Sequence, residues 1–214
     1  RALMDSTNFT LEDSHEHAVC GIDEVGRGPL AGPVVAACVH IPDQVREMDF
    51  IKDVKDSKRL SWKKLETLYE QITLHCPHGV CEVSVEEIDE INILQASLRA
   101  MERAYEKMKT DMAHALIDGN KLPKNLPCPA TAIIKGDSKS KSIAAASIIA
   151  KVTRDRIMHK LAEAHPHYGW ESNVGYPSKA HLAGIDCHGI TKHHRKSYAP
   201  IKKFIENEAN RKTG

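Results

Sequence analysis

Apolar and polar positions along the chain alternate between two periods. Val19 to Asp23 and Pro33 to Ile41 are nearly continuous apolar runs with Gly and Pro between them, which predicts two buried strands. Ser61 then precedes a segment with Leu65, Leu68 and Ile72 on one face, the pattern of a capped amphipathic helix. Val80 to Val85 alternates like a strand. Ser84 leads into Glu86 to Lys109, where Ile91, Leu94, Leu98, Met101, Tyr105 and Met108 trace one helical stripe. Two short apolar strands follow. Ala113 to Ile117 ends at Asp118-Gly119, and Thr131 to Ile134 ends at Lys135-Gly136-Asp137. Ser142 to Ala164 reads as a long helix whose first half is apolar nearly all round, hence buried. The last 50 residues or so are polar, with short helices expected near Ser178–Ile185 and Pro200–Asn210. The order β-β-α-β-α-β-β-α predicts an α/β fold with a mixed sheet flanked by helices.

The chain has 214 residues, 41% of them hydrophobic and 28% charged. That length buries a core without disulfides or a structural metal, so a disulfide-stapled mini-protein and a disordered chain are excluded. The longest uncharged run, Gly28 to Pro42, is broken by prolines and is shorter than the ~20 residues of a membrane span. The N-terminal stretch has no apolar core of a signal peptide. The six cysteines contain no CxxC pair and read as reduced cytosolic thiols, which gives an expected cytoplasmic location. His75-Cys76-x-His78-x-x-Cys81 has zinc-binding residue types in a spacing that matches no common finger. Residues 1–17 are expected to form a polar tail and 18–214 a single catalytic domain.

Net charge is only +1, but it is unevenly spread. Lys135 to Gly214 holds 15 Lys and Arg against 7 Asp and Glu; the preceding part holds 15 against 22. A basic C-terminal portion suits a polyanion, and acids elsewhere suit cations.

Three carboxylate positions stand out. Asp23-Glu24 leaves one apolar strand, Asp118 ends another, and Asp137 follows a third. Carboxylates delivered by several strand ends of one sheet form the layout of a hard-cation site for Mg²⁺ or Mn²⁺. Neighbours on a strand point to opposite faces, so Asp23 and Glu24 share a site only where the strand ends or twists. Gly26-Arg27-Gly28 lets backbone approach a ligand closely. Asp56-Ser57-Lys58 offers a hydroxyl and a cation. Lys135, Lys139, Lys141, Lys151 and Arg154 surround the start of the buried helix, and His193-His194-Arg195-Lys196 has the residue types of a phosphate contact. Tyr176, between Gly175 and Pro177, is an aromatic displayed on a loop, suited to stacking on a sugar or base or to anchoring the loop. Asp155 reads as a structural ion pair with Arg154 or a lysine.

GIDEVGRGPLAGPVVAA, KDSKRL, EEIDEINIL, LIDGN, IIKGDSKSKSIAAASIIAKVTRDRIM, GYPSKAHL and HHRKSYAPIK occur in this order. Together they closely resemble bacterial ribonuclease HII, the type 2 ribonuclease H, from about Val19 to Lys203. The resemblance implies a ribonuclease H-like fold with a C-terminal helical extension over about 165–214. It implies hydrolysis of the RNA strand of RNA–DNA hybrids and nicking 5′ to single ribonucleotides in duplex DNA. The family's four metal-binding, catalytic acids fall on Asp23, Glu24, Asp118 and Asp137, with two Mg²⁺ or Mn²⁺ ions implied and Asp23 bridging them. The motif that senses the 2′-hydroxyl falls on Gly26, Arg27 and Gly28, and the junction-reading tyrosine on Tyr176. Ser57, Lys58, Lys139 and Arg195 are expected substrate contacts. Asn173-Val174 departs from the His-Lys of many members, which removes a cation beside Tyr176; Ser178 replaces the more usual Thr. Partners implied are the hybrid and the ribonucleotide-containing duplex, with no membrane, no protein partner and a monomeric chain. Two other readings compete: a non-catalytic nucleic-acid binding module, and a metal-dependent phosphohydrolase acting on small phosphoesters.

Overall fold

Period-two alternation in the central strand explains both layers of the molecule. In the computed structural model, which describes residues 7–214, Val35, Ala37 and Val39 face one helical layer while Val34, Ala36 and Cys38 face the other. They belong to β2 (Val34–His40), which lies between β3 (His78–Val83) and β1 (Val19–Val25). The five-stranded sheet is completed by β4 (His114–Asp118) and β5 (Ala130–Ile133), in the order β3-β2-β1-β4-β5. β1, β2 and β3 pair antiparallel, whereas β4 pairs parallel to β1 and β5 parallel to β4. This is the mixed sheet expected from the element order.

The N-terminal segment contributes α1 (Thr10–Asp13), and the helix predicted after Ser61 is α2 (Trp62–His75), with the Ser61 hydroxyl accepting from Lys64 N. The single helix expected from Glu86 to Lys109 is two, α3 (Val85–Ile91) and α4 (Ile93–Met108). Asn92, at φ 73°, breaks the first and caps the second by accepting from Gln95 N. The apolar stripe runs through this break, so periodicity alone hid it. α5 (Lys141–Ala164) lies across the sheet face opposite α4, with its first ten residues buried.

α6 (Trp170–Asn173), α7 (Lys179–His188) and α8 (Ala199–Lys212) form the C-terminal helical region, around Leu30, Ala31, Met158, Trp170, Ile185 and Ile201. Of the segment expected to be a polar tail, residues 7–17 lie against the domain. Asn8 N donates to Lys139 O, and the Ser140 hydroxyl bonds to the buried Glu12 carboxylate. No helix among the described residues is long and apolar enough to cross a membrane.

Candidate metal centre and nucleic-acid site

Asp23 lies on the face of β1 that carries Gly21, under the first turn of α5, because the two are two residues apart. Its side chain is buried, at 5% exposure. The parallel pairing of β1 with β4 stops at Ile22–Ile117, and Asp118 closes β4 one residue later. Asp118 therefore arrives beside Asp23. Past Ile22, β1 has no partner on that side, which frees Glu24 to turn round the strand edge. One carboxylate oxygen each from Asp23, Glu24 and Asp118 falls within a 4.8 Å group. Asp137 enters from the turn Gly136–Ser138 after β5, where its backbone N donates to Asp118 Oδ1 at 3.3 Å. It stands at the margin of the group of three.

The electrostatics of this cluster are unbalanced. Burial, reinforced by the charges of Glu24, Asp118 and Asp137, holds the Asp23 carboxyl well above the usual carboxylate range. Burial and Asp118 raise Glu24, against an opposing pull from Arg27. Burial raises Asp137 to about 6, with Asp118 and Asp56 adding to the rise. Among the described residues no ion pair involves any of the four acids. Glu24 Oε2 is buried without a hydrogen-bond partner. Close carboxylates with an orphaned oxygen and hard donors throughout fit one or more divalent cations of the Mg²⁺ or Mn²⁺ kind.

Gly26-Arg27-Gly28 is the loop leaving β1. Gly26 has φ +95°, and a Cβ there would lie 2.3 Å from Arg154 Nε, so both its conformation and its space require glycine. Two buried guanidinium groups hold this loop from behind. Arg195 donates to Gly26 O at 2.7 Å, Arg27 O at 3.1 Å and Gly32 O at 2.9 Å. Arg154 donates to Pro33 O, Ala31 O and Val174 O at 2.7–2.9 Å. Burial lowers the Arg154 guanidinium to about 10, which leaves it charged at neutral pH. The Arg27 side chain and Gly28 are exposed. Tyr176, 42% exposed, stands next to Gly28: a Cβ on Gly28 would be 3.1 Å from the tyrosine ring.

Several expected contacts are corrected by this geometry. Arg195 is 0% exposed and binds main-chain carbonyls, so it cannot touch a phosphate. Its neighbour His194 is buried as well. Lys141 is buried with Nζ on Ile51 O and Val54 O, and Lys151 pairs with Asp155 at 3.0 Å. Ser57 is buried, whereas Lys58 and Lys139 are exposed. Lys58 acts against the rise of Asp137, which sets it near the acids. Asp56, not singled out as a site residue, faces Asp137 and accepts from Lys58 N. Its sequence signal was the cap position of the turn Ser57–Arg59. Asn173, one of the two residues at which the sequence departs from the family pattern, organises the Tyr176 turn: Nδ2 donates to Tyr168 O and Ser178 Oγ, and Oδ1 accepts from Gly175 N. Among the described residues no three-ligand grouping contains His75, Cys76, His78 or Cys81; His78 Nδ1 sits 2.9 Å from Cys76 O instead.

Comparison with known proteins agrees with this arrangement. The family described as ribonuclease HII matches residues 20–201. A ribonuclease HII of Magnetococcus marinus is 54% identical over 190 residues, covering 87% of each chain. The crystal structure of ribonuclease H2 from Pyrococcus horikoshii OT3 superposes with a TM-score of 0.74 at 29% identity, over 88% of this chain and 97% of that one. Bst-RNase HIII in complex with Mn²⁺ shares the fold at a TM-score of 0.69 and 20% identity, over 90% and 70% of the two chains.

Proposed function

Because the chain belongs to the ribonuclease HII family and is a ribonuclease H endonuclease, we propose that it cuts the RNA strand of RNA–DNA hybrids and nicks duplex DNA 5′ to a single embedded ribonucleotide. The products are a 3′-hydroxyl and a 5′-phosphate. The observation that carries this reading is one juxtaposition. A carboxylate cluster fit for hard cations lies at the start of a loop whose Arg27 and Gly28 are exposed, with Gly28 beside an exposed tyrosine.

Asp23, Glu24, Asp118 and Asp137 are the residues that would hold two Mg²⁺ or Mn²⁺ ions. Such ions, when bound, activate a water for attack on phosphorus and stabilise the leaving 3′-oxygen. The rest of the work belongs to the chain. The Gly26-Arg27-Gly28 main chain, its carbonyls tied back by Arg195, meets the 2′-hydroxyl that separates RNA from DNA. A site built to hydrogen-bond one hydroxyl loses much of its transition-state binding when that group is missing. The Tyr176 ring packs on the sugar that follows. Lys58 and Lys139 meet flanking phosphates without reading sequence.

Neither competing reading is favoured by an observation. A small-phosphoester hydrolase has no use for the Gly28–Tyr176 pair, and the four acids a non-catalytic module would lose are all present. The test is a labelled duplex carrying one ribonucleotide, incubated with Mg²⁺ or Mn²⁺. One cut 5′ to the ribonucleotide is expected, absent in EDTA and in Asp23→Asn. Equal cutting of an all-DNA duplex overturns the 2′-hydroxyl reading. Activity that survives both EDTA and the substitution overturns the metal reading.

A further inference from the structure

Tyr176 shows its ring to solvent, but its backbone is held from inside. Its carbonyl accepts from Ser178 N at 2.8 Å and lies 3.0 Å from His181 Nδ1. His181 is 0% exposed, and its Nε2 is 2.9 Å from Nε2 of His194, also 0% exposed. His194 Nδ1 in turn is 2.9 Å from Thr191 N.

The protons in this chain are assigned by elimination. A backbone N–H only donates, so His194 Nδ1 is an acceptor. A neutral His194 then carries its proton on Nε2 and donates it to His181 Nε2. His181 therefore carries its proton on Nδ1, aimed at the Tyr176 carbonyl, which only accepts. Trp170 Nε1–H, 3.2 Å from His181 Nε2, is a second donor to the same atom and agrees with the assignment. A second proton on either ring would meet a donor head-on. Burial lowers both imidazoles, His194 to about 3, with His193 and His165 adding to the lowering. The surroundings are the aromatic rings of Tyr168, Trp170, His165 and His193. In so apolar a setting each bond is stronger than in water, and its direction is fixed.

We propose that His194 and His181 form a neutral, one-directional hydrogen-bond relay that sets the backbone of Tyr176, and with it the ring over Gly28, as positioning residues for selectivity at the ribonucleotide junction. This rests on the reading of Tyr176 as the junction-facing residue. A group that reads a sugar must be held to about 0.5 Å, and a loop achieves that only through buried support. The relay is such support: it runs from the segment before α8, through α7, to the turn that carries the ring.

The test compares the ratio of kcat/KM on a single-ribonucleotide duplex to that on a uniform hybrid. The His181→Asn side chain places an amide N–H where Nδ1 stood and keeps the bond to Tyr176; His181→Gln places its amide where Nε2 stood and does not. The ratio is expected to fall about tenfold in His181→Gln, the effect of one lost buried hydrogen bond, and to stay within about threefold of the parent in His181→Asn. A role in packing alone predicts the opposite order, because Asn leaves the larger hole. Equal loss in both variants, each with a near-ultraviolet spectrum like the parent's, overturns the relay. A readout independent of variants is the ¹⁵N spectrum of histidine-labelled protein, where His181 is expected as the Nδ1–H tautomer and His194 as Nε2–H. A His181 proton on Nε2 overturns the relay. Tyr176→Ala separates the two levels. If it leaves the ratio intact, the reading of Tyr176 fails and the role of the relay with it. If it lowers the ratio while folded His181→Gln does not, the relay alone fails.

Discussion

At the scale of single residues, Asp23 works against the fold that buries it. Its carboxyl is raised by burial and by three neighbouring acids, and no cation of the described chain is paired with it. A carboxyl raised in the folded state holds its proton more tightly there than in the unfolded chain. Its contribution to stability is then complete below the unfolded value of about 4 and is lost as pH rises toward the folded value. For Asp137 that loss spans the range up to about 6. In EDTA, Asp23→Asn is expected to be more stable than the parent at pH 7, by about 1 kcal/mol, with the gap closing toward pH 4. Mn²⁺ is expected to raise the midpoint of the parent and to do much less for the variant. Urea melts at several pH values, with and without metal, measure both; a variant less stable than the parent in EDTA at pH 7 contradicts the account. The gathering of Asp23, Glu24 and Asp118 was legible in the sequence because each lies at or near the end of an apolar strand. Arg195 was not, since a cation among histidines looks the same whether it faces phosphate or three carbonyls. Val174 is similar: its φ of 46° is uncommon for a β-branched residue, and only the structure shows Arg154 holding its carbonyl.

At the scale of elements, the placement of Asp23 depends on how closely α5 lies on β1. Gly21 makes that approach possible. A Cβ at Gly21 would sit 2.2 Å from Ser142 C and 2.3 Å from Ile143 N, both backbone atoms that no rotamer can move. Gly21→Ala therefore has to push the first turn of α5 off the sheet. The cost is expected to be about 3 kcal/mol, at the upper end of overpacking, and readable as a shifted urea midpoint. Because Asp23 is two residues on and Asp137 leads into α5, cleavage is expected to fall in the protein that remains folded. An unfolding free energy within about 0.5 kcal/mol of the parent's would show that α5 has slack there. β1, β2 and α5 were legible because their burial is written as apolar runs, and β3 because its apolar positions alternate, though it spans His78–Val83 and Val85 already opens α3. The break at Asn92 was hidden, since the same stripe serves α3 and α4. The docking of residues 7–17 was hidden too, because it uses Glu12, backbone groups and only two apolar side chains, Phe9 and Leu11, too few to set a period.

At the scale of the whole molecule, the net charge of +1 conceals a division of labour that the structure partly redraws. The C-terminal portion carries 15 cations, yet Lys141, Arg154 and Arg195 are buried on carbonyls and Lys151 is tied to Asp155. These hold the site together from inside and add nothing to the contact surface. The other 11 are exposed, Lys139, Lys179, Lys192 and Lys196 among them, and Lys58 is exposed on the acidic portion beside the acids. The salt dependence of binding counts those that meet phosphate, because each neutralised phosphate contributes about 0.9 to the slope of log K against log salt. Lys58→Ala is expected to weaken binding of hybrid and all-DNA duplex alike and to flatten that slope by about one. Arg195→Gln is expected to leave the slope unchanged while destabilising the fold, as its charge lies behind the loop and not on its face. Binding titrations at several salt concentrations, in Ca²⁺ or EDTA to prevent cutting, separate the two classes of cation. A flattened slope for Arg195→Gln in folded protein would return that residue to the phosphate surface.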